Sequence, residues 1–95
     1  MQIMHEPHLH LSQPDIVNRL KRADGHLRTI IGMLEEHRSC LEVAQQLHAV
    51  EKAVSAAKKL LIHDHIDHCL EQAVEGSSGE GQPDLQGFKE ITKYL

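Results

Sequence analysis

The chain has 95 residues, a formal net charge of −4 with histidine neutral, and one Tyr, one Phe and no Trp. A chain of this length forms one small domain, and its core must be built from aliphatic side chains. The net charge argues against a general nucleic-acid binder, but the charge is uneven, with a local +3 over residues 16–31 and a local −5 over residues 60–95. A basic segment on an acidic protein can still contact DNA.

Nothing in the sequence predicts membrane insertion or export. No run approaches the roughly 20 apolar residues of a membrane span. The first fifteen residues hold three His and two Pro instead of the apolar run of a signal peptide. Two cysteines are too few for a disulfide framework. We therefore expect a cytoplasmic protein with reduced thiols and no membrane partner.

The N-terminal part predicts an arm followed by a helix. Residues 1–13 form a flexible arm that carries His5, His8 and His10, and Ser12 is a candidate N-cap. Apolar residues then recur with the alternating spacing of four and three that is typical of an amphipathic helix, which we place at 14–36. They are Ile16, Leu20, Ala23, Leu27, Ile30 and Leu34.

A second, longer helix is predicted at 40–74, with Ser39 as its cap. Its apolar residues alternate in the same way and are Cys40, Val43, Leu47, Val50, Val54, Ala57 and Leu61. The helix would be about 50 Å long, so a 23-residue neighbour cannot cover it. The exposed stripe predicts a second copy of the chain, packed antiparallel.

The C-terminal part predicts a linker and a short helix. Residues 76–83 are rich in Gly and Ser and form a flexible linker, and residues 84–95 form a short docking helix. The fold class is therefore all-α, with three helices per chain and a helical hairpin core at 14–75. No strand pattern occurs.

Three residues suggest a metal site shared between chains. His65 and Cys69 lie four apart on one helix face and can bind one ion. Cys40 lies 25 residues before His65, about 37 Å away along a helix. In an antiparallel dimer, Cys40 of one chain would lie beside His65 and Cys69 of the other, so the site would exist only in the assembly.

The donor set limits the choice of metal. Three ligands of the type Cys, His and Cys suit trigonal Cu(I), whereas an added imidazole from the arm would suit Ni(II) or Zn(II). A catalytic Cys/His pair is a weaker interpretation, because no loop supplies an oxyanion hole and a small helical hairpin offers little concave pocket. We expect neither an enzyme nor a small organic substrate.

The chain resembles the CsoR/RcnR family of bacterial metal-responsive repressors over about residues 14–75. The matching segments are 19–27, of sequence RLKRADGHL, and 45–50, of sequence QQLHAV, together with Cys40, His65 and Cys69. The resemblance implies an antiparallel dimer with a four-helix bundle, paired further into a tetramer. It also implies operator DNA as the partner of the metal-free form, released by metal to derepress metal-efflux genes. DNA contacts carry over onto Arg19 and Arg22, and Lys58 and Lys59 extend that basic face.

The resemblance also distinguishes the sensed metals. The copper sensors of the family use a Cys, His and Cys ligand set, which this chain resembles. The nickel and cobalt sensors add a histidine from the N-terminal arm. His8 matches the position of that histidine here, and His5 and His10 are nearby substitutes. Copper members commonly carry a Tyr before the first Cys, where this chain has Ser39. We therefore predict Ni(II) or Co(II), with Cu(I) second. A metal-buffering protein that does not bind DNA is the other alternative.

Overall fold

The structure, a computed structural model, describes residues 12–75 and 85–95. Within these residues the chain forms three α-helices, α1 (Gln13–Glu35), α2 (Cys40–Glu75) and α3 (Leu85–Ile91), and a 3₁₀ turn at Thr92–Tyr94. No strand occurs in this described part, so the all-α prediction is confirmed. The predicted linker and most of the arm lie outside the described residues. No helix among those described is long and apolar enough to cross a membrane.

The helix ends agree with the predicted ends of α1 and α2 to within one residue. At the C-terminus, α3 ends at Ile91 and the tighter 3₁₀ turn replaces the last predicted helical residues. Helices often tighten in this way over their last turn.

α1 ends in a Schellman motif centred on His37. The His37 N–H donates to the Leu34 carbonyl over 3.0 Å, and the Arg38 N–H donates to the Met33 carbonyl over 3.0 Å. These two bonds define the motif and require a left-handed residue after the helix, which is usually Gly. His37 supplies that conformation with a φ of 61°, and the chain turns there towards α2.

α2 begins with the predicted cap. The Ser39 hydroxyl accepts a hydrogen bond from the Glu42 N–H over 3.1 Å, and such caps typically stabilise a helix by about 1 kcal/mol. Arg38 donates to both carboxylate oxygens of Glu42, over 3.2 Å and 3.1 Å. This hydrogen bonding, and then the guanidinium charge, lowers the pKa of Glu42, and the same contacts raise the pKa of Arg38.

The chain divides into two compact units, Pro14–Lys58 and a second that combines Met1–Gln13 with Lys59–Leu95. In the first unit, Ile30 of α1 packs with Val43 and Val50 of α2, and Met33 packs against this cluster. The buried positions there are spaced by seven residues in each helix; they are Ile16, Ala23 and Ile30 in α1, and Val43, Val50 and Ala57 in α2. Seven residues are two helical turns, so each set forms one column.

A second column in each predicted stripe stays open to solvent. It consists of Leu20, Leu27 and Leu34 in α1, and of Leu47, Val54 and Leu61 in α2. Each of these six side chains is between 40% and 55% exposed. We call them the open columns. Half of the apolar stripe that the sequence predicts is therefore not covered within one chain.

In the second unit the buried apolar residues of α2 are Ile62 and Cys69, again seven apart. Ser12, just before α1, donates its hydroxyl to the Asp64 carboxylate over 2.8 Å. The sequence predicts Ser12 as an N-cap. It occupies the position before the helix, and its hydroxyl donates to a residue 52 positions away, so the capping bond stays a prediction.

Candidate metal centre and nucleic-acid interface

His65 and Cys69 lie together near the end of α2. Spacing by four residues places both on one face of the helix, and the Cys69 Sγ lies 3.6 Å from the His65 Nε2. Cys69 is buried and His65 is half-buried. The helix thus presents one thiol and one imidazole on the same face, with their donor atoms close together.

This separation fits two donors to one ion. With metal–sulfur and metal–nitrogen distances of about 2.3 Å and 2.0 Å and a tetrahedral angle, the two donor atoms lie about 3.5 Å apart. Two ligands do not complete a site, however. Within the described part of one chain, no three His, Cys, Asp or Glu side chains come together to hold a metal ion.

Cys40 is the first residue of α2, directly after the Ser39 cap. Its thiol is exposed, so it is accessible to a partner, and the cap fixes the backbone from which it projects. The candidate arm ligands His5, His8 and His10 lie outside the described residues.

Two predicted DNA contacts share a cleft in the first unit. Arg19, Arg22 and His26 of α1 line it, with Ala23 and Ala53 as its apolar lining. The cleft has a volume of about 240 Å³. Two guanidinium groups beside an imidazole form a site for an anion such as a phosphate group of a nucleic-acid backbone.

His26 is not among the residues for which the sequence predicts a role. Its Nε2 donates to the Gln46 Oε1 of α2 over 2.5 Å, and this bond orients the ring at the cleft. The spacing of Arg19, Arg22 and His26, three and then four residues apart, places all three on one helix face. That spacing is the signal in the sequence that could have identified His26.

Two of the basic residues of α1 form ion pairs with aspartates of the same helix. Arg19 pairs with Asp15 over 3.1 Å and Arg28 pairs with Asp24 over 3.1 Å, and both pairs are exposed. Exposed pairs of this kind contribute at most about 1 kcal/mol, so they do not prevent either Arg from contacting DNA. Lys58 and Lys59 are exposed on α2 and do not line the cleft. Their role in DNA binding stays a prediction.

The sequence also matches a known protein family. Residues 12–95 match the family described as "Metal-sensitive transcriptional repressor". The match covers all of the described helices, with Cys40, His65, Cys69 and the cleft. It also agrees with the prediction that the protein is not an enzyme, since the members of this family are repressors.

The relatives found by sequence are named as copper sensors. The chain is 40% identical over 78 residues to the copper-sensing transcriptional repressor CsoR of Mycobacterium ulcerans, a match that covers 82% of this chain and 65% of that protein. It is 38% identical over 80 residues to CsoR of Bacillus subtilis, covering 82% of this chain and 79% of that protein. The chain thus spans about two thirds of the mycobacterial relative.

A solved structure is similar as well. The nickel-responsive transcriptional regulator InrS superposes with a TM-score of 0.74 at 34% identity, covering 95% of this chain and 100% of that chain. The shared helices, the paired thiol and imidazole and the matched residues lead to one conclusion. The chain belongs to the CsoR/RcnR family of metal-sensitive transcriptional repressors.

Proposed function

We propose that this protein binds operator DNA in its metal-free form and releases it when a metal ion joins two protomers, which derepresses metal-efflux genes in the cytoplasm. The observation that carries the proposal is the 3.6 Å approach of the His65 imidazole and the Cys69 thiol. Thiolate and imidazole donors together suit transition-metal ions. Membership of a family of metal-sensitive repressors supports the link to DNA.

The third ligand, Cys40, comes from the other protomer. It begins the same continuous helix that carries His65, and 25 residues of helix span about 37 Å. A single chain with this helix intact therefore cannot bring the two residues to one ion.

The open column of α2 supports a specific register for the dimer. Leu47, Val54 and Leu61 are centred on Val54, so an antiparallel pair of α2 helices centred there aligns Leu47 with the partner's Leu61. The same register aligns position 40 with position 68 of the partner. That position lies within one helical turn of both His65 and Cys69, so this register supports a site shared by the three proposed ligands.

The open columns also provide the free energy for dimerisation. Burying the exposed part of one such side chain contributes about 1–2 kcal/mol at ~25 cal/mol per Å². Two protomers together bring twelve such side chains. Their summed contribution of about 12–24 kcal/mol is comparable to or larger than the roughly 4–15 kcal/mol lost in association. The resemblance to the family extends this dimer to a tetramer.

The sensed metal is Ni(II) or Co(II) in this proposal, with Cu(I) as the alternative. The sequence relatives are named as copper sensors and the structural neighbour as nickel-responsive, so both metals occur among similar proteins. Cys40, His65 and Cys69 suffice for Cu(I), whereas Ni(II) requires a further donor. His8 is the proposed donor, with His5 and His10 as substitutes.

The DNA interface in this proposal is the cleft of Arg19 and Arg22, extended by Lys58 and Lys59. The two arginines lie beside the exposed surface of α1, where a duplex backbone can approach. Contacts of this type read the phosphate backbone and groove shape as much as base edges.

Operator release tests the proposal. Metal-free protein selects its binding sites from a random-sequence DNA library, and Ni(II) or Cu(I) is then added while fluorescence anisotropy reports binding. We expect operator affinity to fall at least tenfold, which corresponds to about 1.4 kcal/mol of coupling. Cys40→Ala is the control and should bind DNA without responding to metal. DNA binding that metal leaves unchanged contradicts the proposal, and absence of any DNA binding would favour a metal-buffering protein.

A mixing experiment tests the bridge between protomers. Cys40→Ala and His65→Ala each lose the site alone, but a mixed dimer of the two contains one intact site. Random exchange should restore about a quarter of the wild-type sites, since half of the dimers are mixed and each regains one of two. No recovery of metal binding, with exchange confirmed by differently tagged chains, would exclude the bridge.

A further inference from the structure

The hydrogen bond between His26 and Gln46 joins α1 to α2 at the edge of the cleft. It is partly buried and joins residues 20 positions apart, and both side chains are half-buried. In an antiparallel hairpin, the residue seven before His26 and the residue seven after Gln46 lie at one level, two helical turns along. These residues are Arg19 and Ala53, and both line the cleft. The cleft is therefore the space that the small Ala53 side chain leaves opposite Arg19 and beside His26.

The cleft lies on the side of the hairpin away from the open columns. On each helix, a cleft residue follows a buried residue by three positions, and an open-column residue follows it by four. These spacings place the two side chains about 60° to one side and about 40° to the other side of the buried column. On α1 they are His26 and Leu27 after Ala23, and on α2 they are Ala53 and Val54 after Val50. A partner chain packed on the open columns therefore leaves the cleft accessible to DNA.

The cleft has the size and the donors for one phosphate group. Its volume is about 240 Å³, whereas a water molecule occupies about 30 Å³ in the liquid, so a phosphate group fits with some of its waters. Arg19 and Arg22 supply guanidinium donors and positive charge. None of the five described residues that line the cleft is acidic.

We infer that one phosphate group of the operator backbone enters this cleft, with His26 as a third ligand beside the two arginines and Gln46 as the positioning residue of the ring. The Gln46 amide oxygen accepts the Nε2 proton. The ring then donates to the phosphate through Nδ1, which carries a proton only in the imidazolium form. Phosphate binding thus includes uptake of a proton by His26. This assignment deepens the proposed DNA interface and rests on it.

A scan of the operator with single methylphosphonates identifies the phosphate, because each removes one phosphate charge and leaves the base sequence unchanged. At the phosphate that enters the cleft, wild-type binding should weaken about tenfold, the equivalent of one hydrogen bond to a charged group. Ala53→Leu fills the cleft and should bind the unmodified operator about tenfold more weakly, yet lose nothing further at that position. Ala44→Leu is the control and should behave as wild type does, because Ala44 is exposed nine residues earlier, on the opposite side of α2.

Two substitutions of similar volume test the pair of His26 and Gln46. His26→Leu and Gln46→Met each remove one partner of the hydrogen bond, and each should weaken operator binding about fivefold. In the double variant Gln46→Met should add no further loss, because Gln46 acts through the ring. Additive losses would show a merely structural role for Gln46, and unchanged binding by His26→Leu would show that the ring is not a ligand. Either result overturns the inference.

The pH dependence of operator affinity measures the proton uptake, since histidine titrates near neutral pH. Wild-type affinity should fall between about pH 6 and about pH 8, and His26→Leu should show a smaller fall. Arg19 and Arg22 keep their charges over this range. Glu42, one turn before Gln46 on α2, stays ionised beside Arg38. Equal pH dependence in the two proteins contradicts the uptake of a proton by His26.

The outcomes separate failure of the cleft from failure of the proposed function. If no methylphosphonate distinguishes wild type from Ala53→Leu while metal still releases the operator, the cleft takes no operator phosphate and the proposed function stands. If inorganic phosphate then shifts the His26 ring signals in the NMR spectrum of wild type and not of Ala53→Leu, the cleft holds a free phosphate ion instead. Absence of operator binding by wild type contradicts both.

Discussion

At the scale of single residues, His37 holds a backbone conformation that side chains disfavour. Its φ of 61° lies in the left-handed region, which costs a residue with a Cβ about 1–2 kcal/mol. The two Schellman hydrogen bonds and the turn towards α2 keep it there. Gly is the residue that adopts this conformation without the steric cost.

We expect His37→Gly to raise the free energy of unfolding by about 0.5–1 kcal/mol, the usual effect of relieving such strain. Urea denaturation followed by circular dichroism measures it. His48→Gly is the matched control, because His48 is exposed in the interior of α2 and Gly there lowers stability. Destabilisation by both substitutions would show that the left-handed conformation is not strained.

Arg22 and Arg28 allow a matched test of the DNA interface. Both belong to α1, but Arg22 lines the cleft with Arg19 and His26, whereas Arg28 lies outside it and pairs with Asp24.

We expect Arg22→Ala to weaken operator binding about tenfold and to reduce the salt dependence by about one phosphate contact. Arg28→Ala should have a smaller effect, although it removes the same charge. Metal affinity should stay unchanged in both, because α1 supplies no proposed ligand. Titrations of operator DNA at several salt concentrations measure these effects, and equal losses for the two variants would mean that the cleft is not the contact.

At the scale of elements, the start of α2 combines a cap with a charged pair. Ser39 accepts the Glu42 N–H, and Arg38 holds the Glu42 carboxylate. A carboxylate in the first turn also interacts favourably with the helix dipole. The hydrogen bonds from Arg38, and then its positive charge, favour the ionised form and so lower the pKa of Glu42 in the folded chain.

The sign of the pH dependence follows from that direction. A carboxyl whose folded pKa is lowered stabilises the fold above its unfolded pKa, near 4.3, and this contribution is lost as the pH falls through the folded pKa. We therefore expect Glu42→Gln to lower the melting temperature at pH 7 and to have no effect near pH 2. Glu71→Gln, in a late turn of α2, is the control. A pH-independent difference between wild type and Glu42→Gln would contradict the assignment.

At the scale of the whole molecule, the open columns are an apolar surface that a single chain leaves exposed to solvent. Leucine and valine side chains at 40–55% exposure, repeated every seven residues on both long helices, form a surface that a monomer leaves in water. Contiguous apolar surface of this kind marks an interface. In the proposed four-helix dimer, the equivalent surface of a second chain covers it.

We expect Leu27→Glu to dissociate the dimer, because it places a charge in the middle of the open column of α1. Leu41→Glu makes the same change at an exposed leucine outside the open columns and should leave the assembly intact. Sedimentation velocity gives the mass of each variant, and circular dichroism shows whether the helices are retained. A Leu27→Glu protein with the wild-type mass would mean that another surface forms the dimer.

The sequence by itself determined the helices and the approach of His65 to Cys69. The spacing of apolar residues, Ser39 and the absence of Gly and Pro between residues 40 and 75 predict α2 almost to the residue, because capping and periodicity are local properties of the chain. The four-residue spacing of His65 and Cys69 likewise predicts their approach, since a helix fixes the positions of such neighbours.

Tertiary structure alone decided which apolar residues are buried and what Ser12 contacts. The sequence shows one continuous stripe through Leu61, yet the buried residues of α2 change from Ala57 to Ile62, about 140° around the helix. The sequence predicts Ser12 as a cap, but it does not reveal that the Ser12 hydroxyl donates to Asp64. Periodicity reveals the face of a helix that is apolar, whereas the packed neighbours, which lie far away in sequence, select the part of that face that leaves water.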